Sequence, residues 1–163
     1  MLTSRLAAPI VAFAAPLLLY GGALVSQYGF GLHPCEMCYW QRWPHQAAIL
    51  LALLALLALL LRRSDKAMRA LTLLAAVAIA VSGAIGVFHA GVEYGFWEGI
   101  TTCATGGAGP VTLDSIMNAP LIRCDAVQWS LFGISLAGFN AIFSFAAAAL
   151  VLTLLRRGRT SAT

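Results

Sequence analysis

Long apolar runs alternate with short polar breaks along this chain. Four runs are long enough to cross a bilayer, which takes about 20 mostly apolar residues. They cover Leu6 to Ser26, Tyr39 to Leu61, Ala70 to Val92 and Gln128 to Leu155. The second contains an unbroken apolar stretch from Ala47 to Leu61. Hydrocarbon offers no water to backbone N–H and C=O groups, so each run must satisfy them internally as a helix. The pattern predicts an all-α membrane protein, a four-helix transmembrane bundle forming one membrane domain over residues 1–163. Residues 27–38 and 93–127 then become two loops at one end of the bundle. Arg5 followed by an apolar stretch also fits a cleaved leader, but the run is long enough to span.

Composition supports the bilayer as solvent. Hydrophobic residues make up 61% of the 163 residues and charged ones only 10%, against about 25% charged in a soluble domain. A chain this apolar could not cover a water-facing surface, and no separate soluble domain is expected. The net charge of +4 does not point to nucleic acid, because the basic residues lie neither on a polar face nor among polar recognition residues.

Their placement sets topology instead. Arg5, Arg62, Arg63, Lys66, Arg69, Arg156, Arg157 and Arg159 fall on one side of the four runs. Only Arg42 and Arg123 fall elsewhere. Short basic loops stay cytoplasmic, so both termini are expected inside and loops 27–38 and 93–127 outside. Glu36, Glu93, Glu98, Asp114 and Asp125 gather toward the outer side. So do Trp40, Trp43, Trp97 and Trp129, as an interfacial aromatic belt would.

All four cysteines fall in or beside the outer loops, Cys35 and Cys38 in the first, Cys103 and Cys124 in the second. Structural disulfides, a metal site and thiol redox chemistry each fit a non-cytoplasmic setting. Cys-x-x-Cys is a poor structural staple, because it closes a tiny loop and gains little entropy. Zinc favours two tight ligand pairs, yet 20 residues separate Cys103 from Cys124. Covalent haem would need His after the second cysteine, where Tyr39 stands. Redox chemistry ranks first, structural disulfides next and metal last.

Arg42 sharpens the redox reading. It lies four residues after Cys38, so the two share a helical face. A snorkelling interface arginine would look similar. Yet this one sits on the outer side, beside a thiol whose anion a guanidinium would stabilise. It could also donate hydrogen bonds to a quinone carbonyl.

The stretch Cys35-Glu36-Met37-Cys38-Tyr39-Trp40-Gln41-Arg42 resembles the active-site motif of the DsbB family, quinone-linked disulfide generators of the bacterial inner membrane. The resemblance covers nearly the whole chain. It includes the four spans, the spaced cysteine pair before the last span, and Trp129 to Asn140 (WSLFGISLAGFN). It implies catalytic roles for Cys35, Cys38, Cys103 and Cys124. A reduced periplasmic thioredoxin-like oxidase would attack the Cys103–Cys124 disulfide and be held on Cys103. Cys124 would then attack Cys35 and free Cys38, which passes electrons to a quinone, ubiquinone or menaquinone, beside Arg42. The vitamin K epoxide reductase family also has four helices and four cysteines, but its Cys-x-x-Cys comes late in the chain. A non-catalytic bundle stapled by disulfides is the rival reading.

Other residues carry weaker signals. His89 and Glu93 are four apart on the outer end of the third span. His89 fits a quinone pocket or a proton relay, and equally an interfacial histidine. His33 reads as a loop residue, and Pro44 as a kink or a helix start. His45 carries no assignment. Ser82, Gly83 and Gly86 read as a close helix-packing face, and Asn140 as an interhelical hydrogen bond. The run 105–110 (TGGAGP) suits a mobile arm for Cys103. Leu113, Ile116 and Met117 have the spacing of a short membrane-lying helix; a packed loop segment would read the same.

Overall fold

The computed structural model describes residues 2–61, 64–100, 104–105 and 121–160. Four helices dominate it: α1 (Leu2–Gly29), α2 (Glu36–Leu60), α3 (Asp65–Glu93) and α4 (Leu136–Thr160). Each is long and apolar enough to cross a membrane. Helix α2 packs against α3, α3 against α4, and α1 bridges α2 and α4, which closes the bundle. The protein is a four-helix transmembrane bundle.

Helices α1, α2 and α3 each start earlier than hydropathy alone places them, and for α2 and α3 an N-cap explains why. Ser64 caps α3 by accepting from the Lys66 backbone N–H at 3.3 Å, and Asp65 adds a carboxylate to the first turn. Both features satisfy a helix N-terminus. These polar residues fall outside the apolar run that begins at Ala70. Helix α2 likewise starts at Glu36 rather than Tyr39, so Pro44 lies inside it and does not mark its start.

The fourth helix starts later than expected. The apolar run from Gln128 folds first into a tight hairpin. Strands β3 (Ser130–Leu131) and β4 (Ile134–Ser135) pair antiparallel through Phe132 and Gly133, both at positive φ, 52° and 76°. Positive φ at both central positions is the geometry of a type I′ turn, which glycine enters freely and phenylalanine does not. The α3 end holds this hairpin in place. Tyr94 donates its hydroxyl to the Gly133 carbonyl at 2.8 Å and accepts from the Ser135 N–H at 2.7 Å.

A second ladder pairs β1 (Ala104–Thr105) with β2 (Leu121–Ile122), Ala104 opposite Ile122. It leads the chain back toward the bundle just before Cys124. Cys103, the rest of the glycine-rich run and the candidate helix around Leu113 to Met117 lie outside the described residues.

Packing differs along the bundle. Away from the loops, the core is alanine: Ala12, Ala48, Ala52 and Ala75 are fully buried, with Ile79 and Val151 between them. Toward the loops, a second core holds Cys35, Met37, Val92, Ile122 and Cys124. Gly86 sets the α3–α4 spacing here. A Cβ at that position would lie 2.9 Å from the Ala137 carbonyl oxygen.

Candidate active site: a buried dithiol beside an arginine-lined cavity

Local chemistry places the redox pair. Pro34 disfavours helix at the residue before it. Cys35 then serves as the N-cap of α2, extended at φ −77° and ψ 175°, and its sulfur accepts from the Cys38 backbone N–H at 3.4 Å. The α2 N-terminus therefore points its free N–H groups at the two sulfurs. Cys35 donates its thiol hydrogen to the Cys38 sulfur at 3.1 Å. That hydrogen bond, followed by burial, pushes the Cys35 thiol from 9.0 up to about 12. Cys35 is thus the proton holder of the pair, and the Cys38 sulfur is the acceptor.

Two segments converge on this pair. His89 from α3 brings Nε2 within 3.5 Å of the Cys35 sulfur. Its backbone partner is Cys124, which is buried with Cys35 in the same cluster. The His89–Glu93 pairing read from sequence is present, with Nε2 and Oε1 3.8 Å apart. Cys124 reaches the dithiol from the second loop, flanked by an exposed bidentate ion pair from Arg123 to Asp125 at 2.9 and 2.6 Å.

Arg42 is 8% exposed, which argues against a snorkelling role. It donates to Gln27 Oε1 at 2.6 Å and to the Ala23 carbonyl at 3.3 Å, both on α1. Its guanidinium also lies over the Tyr39 ring, 5.2 Å from the centroid. A cavity of about 290 Å³ opens beside it, between α1, α2 and α4. Cys38, Arg42, His45, His89 and Asn140 share its wall with apolar residues such as Leu18 and Phe143. An apolar cavity with a few convergent polar groups suits a flat organic headgroup. Two of the five guanidinium N–H donors go to α1, and the fork has others for a carbonyl.

Gln41 and Asn140 are central to the site, although from sequence Gln41 stands out only as part of the motif and Asn140 only as an interhelical hydrogen bond. Gln41 Nε2 donates to His89 Nδ1 at 2.8 Å and to the Met37 carbonyl at 3.2 Å. Asn140 Nδ2 donates to Gln41 Oε1 at 2.8 Å, and Asn140 Oδ1 accepts from His45 Nε2 at 2.8 Å. Ser82 closes the group by donating to the Gln41 carbonyl at 2.8 Å. The available signal was amides and histidines inside apolar spans, where polar groups are costly and tend to be functional.

Cys35, Cys38 and His89 also place three metal-ligand atoms within 4.8 Å of one another. The Gln41 donor on Nδ1 leaves the hydrogen on His89 Nε2, however, so that nitrogen faces the sulfurs as a donor and not as a ligand lone pair. The arrangement favours thiol chemistry.

A membrane bundle that buries a dithiol beside a cationic, headgroup-sized cavity defines a membrane thiol oxidoreductase. A family model for disulfide bond formation protein DsbB matches residues 5–154. The chain resembles disulfide bond formation protein B of Aromatoleum aromaticum, 27% identical over 158 residues that cover 90% of each chain. It also resembles that of Pasteurella multocida, 29% identical over 162 residues, 94% of this chain and 86% of the relative. No solved structure matches the chain. The chain belongs to the DsbB family, the quinone-dependent protein-dithiol oxidoreductases of disulfide bond formation. That membership sets aside both the non-catalytic stapled bundle and the vitamin K epoxide reductase-like reading.

Proposed function

We propose that the chain reoxidises a periplasmic thioredoxin-like dithiol oxidase and delivers the electrons to ubiquinone or menaquinone in the bacterial inner membrane. The whole chain acts as one membrane domain, with both termini cytoplasmic and both cysteine loops periplasmic. The observation that carries this reading is the position of the dithiol between two neighbours: Cys124 packs on one side, and the Arg42 cavity opens on the other.

The relay runs in four exchanges. A partner thiolate attacks the Cys103–Cys124 disulfide at Cys103, forming a mixed disulfide and releasing Cys124. The Cys124 thiolate attacks Cys35 of the Cys35–Cys38 disulfide, and Cys38 leaves. The partner's second thiolate then resolves the mixed disulfide and releases Cys103, whose thiolate attacks Cys124 of the Cys35–Cys124 bond, which restores the loop pair and frees Cys35. Each step is thiolate attack on a disulfide sulfur, so thiols and disulfides balance. The dithiol left at Cys35 and Cys38 gives two electrons and two protons to the quinone, which leaves as quinol. Arg42 orients the headgroup carbonyl and stabilises negative charge at the Cys38 sulfur.

The test uses purified full-length protein, a reduced thioredoxin-like partner and a quinone. Quinone loss should match partner oxidation one for one, and Cys38→Ser should abolish it. Equal quinone reduction by wild type and Cys38→Ser would sink the mechanism.

A further inference from the structure

From sequence His89 fits a quinone pocket, a proton relay or an interfacial position equally, and the direction of its hydrogen bonds adds a further role. A backbone carbonyl can only accept, and two of them fix the two amides independently. Gln41 Nε2 faces the Met37 carbonyl at 3.2 Å, so this atom is the NH₂ group. The same nitrogen lies 2.8 Å from His89 Nδ1, which must therefore accept. Asn140 Nδ2 faces the Ser82 carbonyl at 3.2 Å and supplies Gln41 Oε1 at 2.8 Å. Its other end then accepts from His45 Nε2 at 2.8 Å and from Ser144 Oγ at 3.2 Å. Every bond in the chain from His45 to His89 runs in one direction, with no donor facing a donor. The neutral imidazole of His89 carries its single hydrogen on Nε2.

That hydrogen faces the dithiol: the Cys35 sulfur lies 3.5 Å from Nε2, and the His89 ring also meets the backbone of Cys124, which is buried with Cys35 in one cluster. Cys124 and Cys35 are both buried, at 6% and 2% exposure. A segment of the second loop is thereby tied to the helix that flanks the dithiol, at the residue that must exchange with Cys35.

We propose that His89 is a positioning residue for the cysteine-to-cysteine exchange: it latches the Cys124 backbone against Cys35, and Gln41 and Asn140 hold it in the tautomer that can do so. This inference rests on the four-cysteine relay proposed above. The covalent step is unchanged: the Cys124 thiolate bonds to the Cys35 sulfur, the Cys35–Cys38 bond breaks, and the electron pair leaves on Cys38. The latch supplies only proximity. A misplacement of about 1 Å can slow a step of this kind by about 100-fold.

The experiment isolates the exchange step. Fully oxidised full-length protein without quinone is mixed with a reduced thioredoxin-like partner, quenched at intervals and labelled at free thiols. Capture of the partner on Cys103 should proceed at the wild-type rate in His89→Ala. Appearance of label at Cys38 should slow by about 10- to 100-fold. Separately, quinone reduction started from the dithiothreitol-reduced enzyme, which bypasses the exchange, should slow far less than the exchange does. His89→Gln, which retains an N–H donor, should recover part of the lost rate. If His89→Ala does not fold, Gln41→Leu carries the same expectation, since it frees the imidazole to change tautomer. An unchanged exchange rate, or a raised quinone KM with normal exchange, overturns the latch and returns His89 to the quinone. If wild type itself never yields label at Cys38, the relay fails, and the latch falls with it.

Discussion

Toward the loops, α2, α3 and α4 are joined by a hydrogen-bonded group of Gln41, His45, Ser82, His89 and Asn140. Toward the opposite end, the same helices meet through alanines: Ala48 and Ala52 on α2, Ala75 and Ala76 on α3, Ala148 on α4. Alanine lets helices approach closely and loses no side-chain entropy on packing. It also specifies little, because one alanine fits another in more than one register. The polar end spends stability on fixing side chains, since interhelical hydrogen bonds in membranes average only about 0.6 kcal/mol each. The chemistry sits at the end where orientation is fixed.

The comparison implies an asymmetry under mutation. Asn140→Leu should be the most damaging change outside the cysteines. It leaves Gln41 Oε1 without its donor and takes one partner each from His45 and Ser82, which keep each other at 2.9 Å. The orphaned amide oxygen and the weakened contacts around it are expected to cost about 3 kcal/mol in detergent unfolding. Ala52→Ser at the alanine end should cost under about 1 kcal/mol, because its hydroxyl can bond the carbonyl one turn back. Equal losses would erase the distinction between the two ends.

Gly86→Ala comes next. The added methyl would press on the Ala137 carbonyl at 2.9 Å and on Asn140 Nδ2 at 3.1 Å. Overpacking of this kind costs about 1–3 kcal/mol. Here it should also slow turnover, since it pushes on the amide that orients Gln41. Lower stability with unchanged turnover would show that the network tolerates a shifted α4.

The spans and the thiol pair were legible in sequence, because hydropathy, basic-residue placement and Cys-x-x-Cys spacing are local signals. The start of α4 was not. Trp129 to Ser135 is as apolar as a helix, and only the positive φ at Phe132 and Gly133 turns it into a hairpin. Arg42 was legible as a neighbour of Cys38, but not its anchoring to Gln27 and Ala23, which depends on how α1 docks. Asn140 was legible as a hydrogen-bonding residue. Its partners were not, since Gln41 lies 99 positions away. The tautomer of His89 was the least legible, because the Gln41 amide sets it and the Met37 carbonyl in turn orients that amide.

Arg42→His tests whether the cavity wall and the dithiol act separately. Loss of the guanidinium fork should raise the quinone KM about tenfold, which is about 1.4 kcal/mol. The KM for the thioredoxin-like partner should stay near its wild-type value. A parallel rise in both would mean that Arg42 supports the whole outer end by tying α2 to α1.

A last effect is expected on pH dependence, and it distinguishes the two sulfurs. In the reduced protein, the Cys35 thiol is held up to about 12 by its hydrogen bond to Cys38 and by burial, against 9.0 for an ordinary thiol. A thiol raised in the folded state favours folding fully below the unfolded value and loses that advantage as pH climbs toward the folded one. The reduced protein should therefore lose stability between about pH 9 and about pH 12, over the window set by those two values. The oxidised protein, with no thiol at Cys35, should not show this loss. Cys38→Ala removes the acceptor sulfur and should bring the Cys35 titration back down, which ultraviolet thiolate absorbance reads directly. If that titration stays near 12 in Cys38→Ala, burial alone holds the proton, and the two cysteines do not divide the roles of proton holder and acceptor.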